Sequence, residues 1–265
     1  MFKIGNYLCP SSLEDAYQVL QDVPASVVLG GCGYLRLAGR RIDTAIDLVK
    51  LGLDTVVDSD SSLEIGAMTS LREIETNPLI LEMCQGLLSR SVKNIVGVQL
   101  RNCVTIGGSV MGRYPFSDPI TALVALDAEL LFHGAGRVRL TDYLLGKGLR
   151  DILLKIIIPK GATAGSYTSV RKSATDYAIL NVAVSQVGKT YRIVVGSRPG
   201  RSLRANLAEI HLGEHGLSDA AILKAAQMVV EELKFGDNPR GSEAYRRAVC
   251  PALVKRCLME VRDAA

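Results

Sequence analysis

The sequence predicts an α+β protein, with a larger N-terminal part ending near residue 160 and a smaller sheet-plus-helices part after it. Three observations carry that expectation. Before residue 160, strand-like and helix-like runs alternate too irregularly for a doubly wound parallel sheet. Residues 159–166, PKGATAGS, are rich in glycine and small side chains, as a linker is. Beyond them, three strand-like runs lead into two helices whose apolar residues recur every three or four positions.

Each element has a local cause. Ser11 and Glu14 form the S-x-x-E signature of a helix start, ahead of a short helix to about Leu20. Val27-Val28-Leu29 reads as a buried strand running into Gly30-Gly31-Cys32-Gly33. Leu63-Glu64-Ile65 reads as another, ending at Gly66-Ala67. Ser70 and Glu73 cap a second helix that stops before Asn77-Pro78, because a residue preceding proline is pushed out of helical geometry. Pro78 opens a third helix over 78–89. Residues 94–109, NIVGVQLRNCVTIGGS, show no helical period and are expected to be irregular. Pro119 fits the first turn of an apolar helix, ITALVALDA, and strands follow at 129–133, 137–140 and 152–158. In the second part, strands at 166–171, 179–187 and 190–196 make an antiparallel meander turning at Gly188-Lys189. Helices near 218–235 and 241–262 close the chain, and Gly236 is placed to end the first.

Composition excludes several function classes. A net charge of +4 on 265 residues gives no basic stripe, so nucleic-acid binding is not expected. The segment MFKIGNYLCPSSLEDAYQ has no apolar signal core, and no run approaches the roughly 20 apolar residues of a membrane span. Both point to a cytoplasmic protein. The six cysteines form no C-x-x-C pair, so neither a zinc site nor a cysteine-held cluster is expected.

Two motifs are decoys on this reading. His211-Leu212-Gly213-Glu214-His215 matches the H-x-x-E-H metal pattern, which needs both histidines on one helical face. Gly213 and Gly216 interrupt the segment and Ser218 caps a helix starting afterwards, so a solvated loop is expected. Gly188-Lys189-Thr190 resembles the end of a phosphate loop, but Ala183 stands where a glycine is needed and the segment joins two strands. No Ser, His or Cys arrangement suggests a catalytic residue.

The functional signal lies in two glycine pairs, Gly30-Gly31 and Gly107-Gly108. Glycine lets backbone approach a ligand closely, and successive N–H groups can converge on an anion. A dinucleotide pyrophosphate suits two such loops, although ordinary turns would also account for either pair alone.

The segments LGGCGYLRL, LEIGAMTSLREIE, VQLRNCVTIGGSVMGRYPFSDPITALVALDAEL and SEAYRRAVCPALVKRCL occur in that order. Together they resemble the FAD-binding subunits of molybdenum hydroxylases such as xanthine dehydrogenase and carbon monoxide dehydrogenase. The strongest element is Gln99-x-Arg101-Asn102-x-x-Thr105-Ile106-Gly107-Gly108, followed by Ser117-Asp118.

The resemblance implies a fold and a site. The fold would be a vanillyl-alcohol-oxidase-like FAD-binding domain over 1–160, with two α/β subdomains meeting near residue 60, then a C-terminal antiparallel sheet with helices over 161–265. Leu29, Gly30, Gly31, Cys32, Gly33 and Tyr34 match the first pyrophosphate loop. Val104, Thr105, Gly107, Gly108 and Ser109 belong to the second. Ser117 and Asp118 match a pair meeting the adenosine side of FAD, although on sequence alone Asp118 also reads as a helix cap. Ile95 and Leu153 match positions lining the flavin ring. Three departures stand out: Cys32 for the usual Thr, Ser109 for the usual Asn, and Thr168 where relatives often carry a lysine near the flavin.

The implied role is electron transfer. A partner subunit with a molybdenum cofactor would oxidise substrate, a [2Fe-2S] subunit would relay electrons, and FAD in this chain would pass them to NAD+ or another acceptor. Two alternatives differ in class: a stand-alone FAD-dependent reductase of similar fold, and a non-catalytic assembly subunit that has lost FAD.

Overall fold

The computed structural model describes residues 3–37, 39 and 41–264. They form two compact units that interleave along the chain. The first comprises 1–73, 98–112 and 128–158, and the second 74–97, 113–127 and 159–265. The linear division near residue 160 is thus crossed by two segments, 74–97 and 113–127, which join the second unit.

In the first unit, strands β1 (Lys3–Leu8), β2 (Ser26–Val28) and β3 (Arg41–Ile46) form a parallel sheet in the order β1-β3-β2. Helix α1 (Leu13–Asp22) buries Ala16 and Leu20 in a small core with Ile46, Leu48 and Ile152. Its cap is Ser12 rather than Ser11: the Asp15 N–H donates to Ser12 Oγ at 3.1 Å. A second sheet has the order β4-β5-β8-β6-β7. Its strands are β4 (Val56–Asp58), β5 (Ser62–Gly66), β6 (Glu129–Phe132), β7 (Gly136–Arg139) and β8 (Leu153–Pro159). Strand β8 runs to Pro159, and β9 of the second unit starts at Ala164, so the connector is shorter than the expected 159–166.

Helix α2 (Leu71–Thr76) starts as expected, the Glu73 N–H donating to Ser70 Oγ at 3.1 Å. The expected helix 78–89 is instead α3 (Pro78–Glu82) and α4 (Leu87–Val92), separated by left-handed Cys84 and Gln85. Tertiary contact wins there. Gln85 Oε1 accepts from the Gly165 N–H at 2.6 Å, which a continuous helix would not place beside the start of β9. The stretch 94–109 is not irregular: it carries α5 (Val98–Cys103) and α6 (Ile106–Met111). Thr105 caps α6, its Oγ1 accepting from the Gly108 N–H at 3.0 Å.

In the second unit, α7 (Asp118–Ala125) is buried at every residue, as a helix apolar on all sides must be. It packs on β10 (Leu180–Val187) and β11 (Thr190–Gly196), which explains why residues 113–127 leave the first unit. Helix α8 (Leu140–Leu145) belongs to the first unit. Strands β9 (Ala164–Val170), β10, β11 and β12 (Leu203–Arg204) form an antiparallel meander, turning at Gly188 with φ +56°. One core joins this sheet to α9 (Asn206–His215), α10 (Asp219–Glu232) and α11 (Glu243–Ala264). Helix α10 ends at Glu232 with Leu233 as its cap, so Gly236 does not end it. The Gly236 carbonyl instead accepts from Arg246 Nη1 at 2.8 Å. Residues 211–215, expected as a loop, are the last part of α9. Gly213 is tolerated there, and the chain leaves the helix at Gly216.

Candidate functional site

The first unit carries a half-open cavity of about 340 Å³. Leu29, Gly30, Thr105, Gly107, Gly108 and Leu153 line it, so the structure brings together six of the expected residues from both loops and β8. Its other walls are mostly apolar, including Leu20, Val28, Leu48 and Met68.

The two glycine loops are pressed against each other. A Cβ on Gly30 would lie 2.7 Å from the Gly108 Cα, and one on Gly108 would lie 2.5 Å from the Gly30 carbonyl oxygen. A Cβ on Gly107 would lie 2.5 Å from the Ala67 carbonyl oxygen. Gly31 has φ +78°, and any side chain there would run into the Cys103 carbonyl. These glycines are therefore required by the contact between backbones, before any ligand is considered.

The two loops differ in what they can offer an anion. The second has spent its donors. Gly107 N–H donates to the Ala67 carbonyl at 2.9 Å, Gly108 N–H to Thr105 Oγ1, and Ser109 N–H to the Thr105 carbonyl at 3.1 Å. In the first, the successive amides of Gly30, Gly31, Cys32 and Gly33 donate to no described residue. A part-exposed run of unpaired donors is a natural place for phosphate oxygens. Cys32 itself is left-handed, with φ +57°. Burial and then the charge of Asp47 push its thiol pKa up.

Two polar residues of the cavity wall were not singled out from the sequence. Arg150 Nη2 donates to the Val23 carbonyl at 2.6 Å and to Ser26 Oγ at 3.1 Å. Asp151 accepts from the Gly134, Ala135 and Ile152 amides at 2.7–3.0 Å, so its carboxylate serves the turn between β6 and β7. Neither sits in a pattern that sequence reading recognises, because the Arg150 partners lie more than 100 residues away and the Asp151 partners are backbone amides.

Ile95, Ser117 and Asp118 belong to the second unit. Ser117 precedes α7 without a side-chain cap bond, and Asp118 is the first helical residue, so Asp118 does not act as the cap. Asp118 is 4% exposed. Oδ1 accepts from the Tyr167 hydroxyl and from Asn181 Nδ2, each at 2.6 Å, and Oδ2 pairs with Arg171 Nη2 at 2.7 Å. Burial, reinforced by Asp118, raises the Tyr167 pKa well above its ordinary value. Burial opposes the charge on Arg171, but the carboxylate beside it outweighs that and raises its pKa. Thr121 and Ser202 extend the network, with Thr121 Oγ1 lying 2.9 Å from Asn181 Oδ1 and 2.7 Å from Ser202 Oγ. Asn181, polar at a core position of β10, was the signal that could have revealed this cluster. A separate pocket of about 260 Å³ in this unit is lined by Arg90, Lys93, Asn94, Tyr167, Thr168 and Ser169.

No described helix is long and apolar enough to cross a membrane. The comparisons with known proteins agree with one another. The family described as FAD binding domain in molybdopterin dehydrogenase matches residues 1–161, and the CO dehydrogenase flavoprotein C-terminal domain matches 165–261. The glyceraldehyde dehydrogenase medium chain of Sulfolobus acidocaldarius is 26% identical, over 97% of this chain and 98% of its own. The carbon monoxide dehydrogenase medium chain of Hydrogenophaga pseudoflava is 24% identical, over 95% of each. Among solved structures, a carbon monoxide dehydrogenase chain from Hydrogenophaga pseudoflava superposes with TM-score 0.89 at 25% identity, over 98% of both chains. Quinoline 2-oxidoreductase from Pseudomonas putida 86 shares the fold, with TM-score 0.88 at 23% identity over 98% of this chain and 97% of its own.

Proposed function

The chain belongs to the FAD-binding subunits of the xanthine-dehydrogenase-like molybdenum hydroxylases, and from that premise we propose that it holds FAD and carries electrons from a partner's [2Fe-2S] clusters to NAD+ or another acceptor. One observation carries the cofactor part of this reading: four successive amides, Gly30 to Gly33, that find no partner among the described residues, in a glycine loop whose start lines a mostly apolar cavity. A dinucleotide needs donors for its phosphates and apolar walls for an aromatic ring. The cavity is large enough for one part of FAD rather than all of it.

When bound, FAD supplies the conversion between single-electron and two-electron transfer. The protein's share is to bind and orient. On this reading the first loop takes phosphate oxygens through its backbone, while the second, stitched to Ala67 and Thr105, sets the floor against which the first is placed. Leu153 and the neighbouring apolar walls exclude water from a ring. No side chain is asked to move a proton. The molybdenum-cofactor subunit, named for the family by resemblance, would carry substrate oxidation.

Purified chain incubated with FAD and then desalted should keep about one flavin per chain, with visible flavin bands. With FAD bound it should pass electrons from NADH to an artificial dye, yet oxidise no aromatic heterocycle until the other two subunits are added. Absence of flavin after reconstitution would overturn the cofactor reading and favour an assembly subunit. Oxidation of a heterocycle by the chain alone would overturn the subunit reading, and a dead NADH–dye reaction with FAD retained would exclude NAD+ as the acceptor.

A further inference from the structure

The H-x-x-E-H segment was set aside because a loop cannot hold two histidines one turn apart, and the structure removes that ground. Residues 206–215 are α9, and His211 and His215 lie at positions i and i+4 on it. Their ring centroids lie 4.4 Å apart with planes at 26°, so sharing one ion requires the exposed His215 ring to turn until both Nε2 lone pairs converge.

The protonation of one ring follows from its partner. His215 Nδ1 lies 2.9 Å from the His211 carbonyl oxygen, and a carbonyl can only accept, so Nδ1 carries the hydrogen. In the neutral ring, Nε2 of His215 then holds the lone pair. A backbone carbonyl holding one imidazole nitrogen so that the other faces a metal is the usual outer arrangement of metal-bound histidines. The second ring supplies an independent sign. His211 Nε2 is buried and has no hydrogen-bond partner among the described residues. A buried nitrogen left unpaired calls for a water or an ion that would satisfy it.

We propose that His211 and His215 chelate a borderline divalent transition-metal ion, of the nickel, copper and zinc class, through their two Nε2 atoms. Imidazole suits these ions, and a rigid i, i+4 pair fixes two ligands without further ordering of the backbone. No group of three or more His, Cys, Asp or Glu side chains able to hold a metal occurs among the described residues. Water therefore completes the coordination, and the ion exchanges readily. The site lies in α9, which carries none of the residues assigned to FAD, so it does not depend on the flavin reading. Closing the two rings on one ion staples a full turn of a helix that carries a glycine at 213.

The test uses the full chain with Ni2+ as the probe, followed by calorimetric titration and by thermal melting. The wild type should bind one Ni2+, and its melting temperature should rise with added Ni2+. His215→Gln and His211→Gln should each weaken binding by about tenfold or more and abolish the rise. His215 is exposed, so its variant keeps the test intact if the part-buried His211 variant folds poorly. With Cu2+, the electron paramagnetic resonance spectrum should show two coupled imidazole nitrogens in the wild type and one in either variant. Ni2+ binding equal to the wild type in both variants, or no binding by the wild type at millimolar Ni2+, overturns the proposal.

Discussion

Gly108→Ala tests whether the glycine pairs exist for contact between backbones. In a helix interior, alanine normally exceeds glycine by about 1 kcal/mol, so the default effect on α6 is a gain. At Gly108, however, the new Cβ would lie 2.5 Å from the Gly30 carbonyl oxygen and 3.1 Å from its Cα. Both are backbone atoms, and no flexible side chain can swing aside. Overpacking of this kind costs about 1–3 kcal/mol, which cancels or outweighs the helical gain. Gly213→Ala in α9 is the matched control, because its Cβ would meet nothing nearer than the Lys189 carbonyl oxygen at 3.7 Å. The same chemical change should therefore stabilise at 213 and be neutral to destabilising at 108, a difference of about 1–3 kcal/mol. Urea denaturation of each variant against the wild type reads the stability. FAD titration of the apo-protein reads the site, and only Gly108→Ala should weaken it, because Gly30 and Gly108 border the same cavity. Gly108→Ala as stabilising as Gly213→Ala, with FAD affinity unchanged, would refute the reasoning.

Three further outcomes follow from the same structure. Asp118→Ala leaves Arg171 buried without its carboxylate and should cost about 3–5 kcal/mol in chemical denaturation; a stability loss below about 1 kcal/mol would show that the pair is not structural. Burial opposes the charge on Glu260, but bonds from Arg90 and Ser166 outweigh it and lower its pKa. Its stabilising effect is thus full above the unfolded value of about 4.5 and lost as pH falls through the lower folded value, so wild type and Glu260→Gln should converge in melting temperature on acidification. Native chain treated with a thiol reagent near pH 8 should label exposed Cys103 well before Cys84, Cys250 and Cys257, whose buried thiols are pushed up to about 11, 12 and 12; peptide mapping that finds the buried three modified first would contradict the packing.

How far the fold could be read depended on where each element gets its stability. The second unit was largely legible. Strands β9 to β11 are mostly buried runs joined by a glycine turn, and α10 and α11 carry helical apolar spacing, so local pattern and tertiary role agree. The first unit was harder. Strand β1 is exposed along nearly its whole length and β3 carries Arg41 and Asp43 at exposed positions, so neither shows a strong apolar run. They are held by parallel pairing across distant sequence, which no local window contains. Helix α9 was missed for a related reason. Its glycine and its histidines read as loop residues, while its buried face is only Ala208, Glu209 and Leu212. Glu209 earns its burial through Arg204 and the Ile193 amide, neither of which a periodicity argument sees.

The site shows the same division at finer scale. That glycine pairs at 30–31 and 107–108 mark a special backbone was readable, because few other residues permit such approach. What they approach was not readable. Glycine at a ligand and glycine at another backbone look identical in sequence, and here the second explanation already accounts for Gly30, Gly31, Gly107 and Gly108. The discriminating quantity is the fate of the amide hydrogens, which only coordinates supply. The second loop's are consumed by Ala67 and Thr105, whereas the four from Gly30 to Gly33 find no partner among the described residues. On the proposed function, phosphate binding rests on the first loop, with the second acting as its support. Substitutions should follow that order. A change that fills the second loop should move the first and weaken flavin binding through displacement. A change that alters only side chains of the first, such as Cys32→Ser, should leave the amides in place and shift FAD affinity little. If Cys32→Ser instead abolishes FAD binding in equilibrium titration, recognition at this loop is through the side chain, and the backbone account of the site fails.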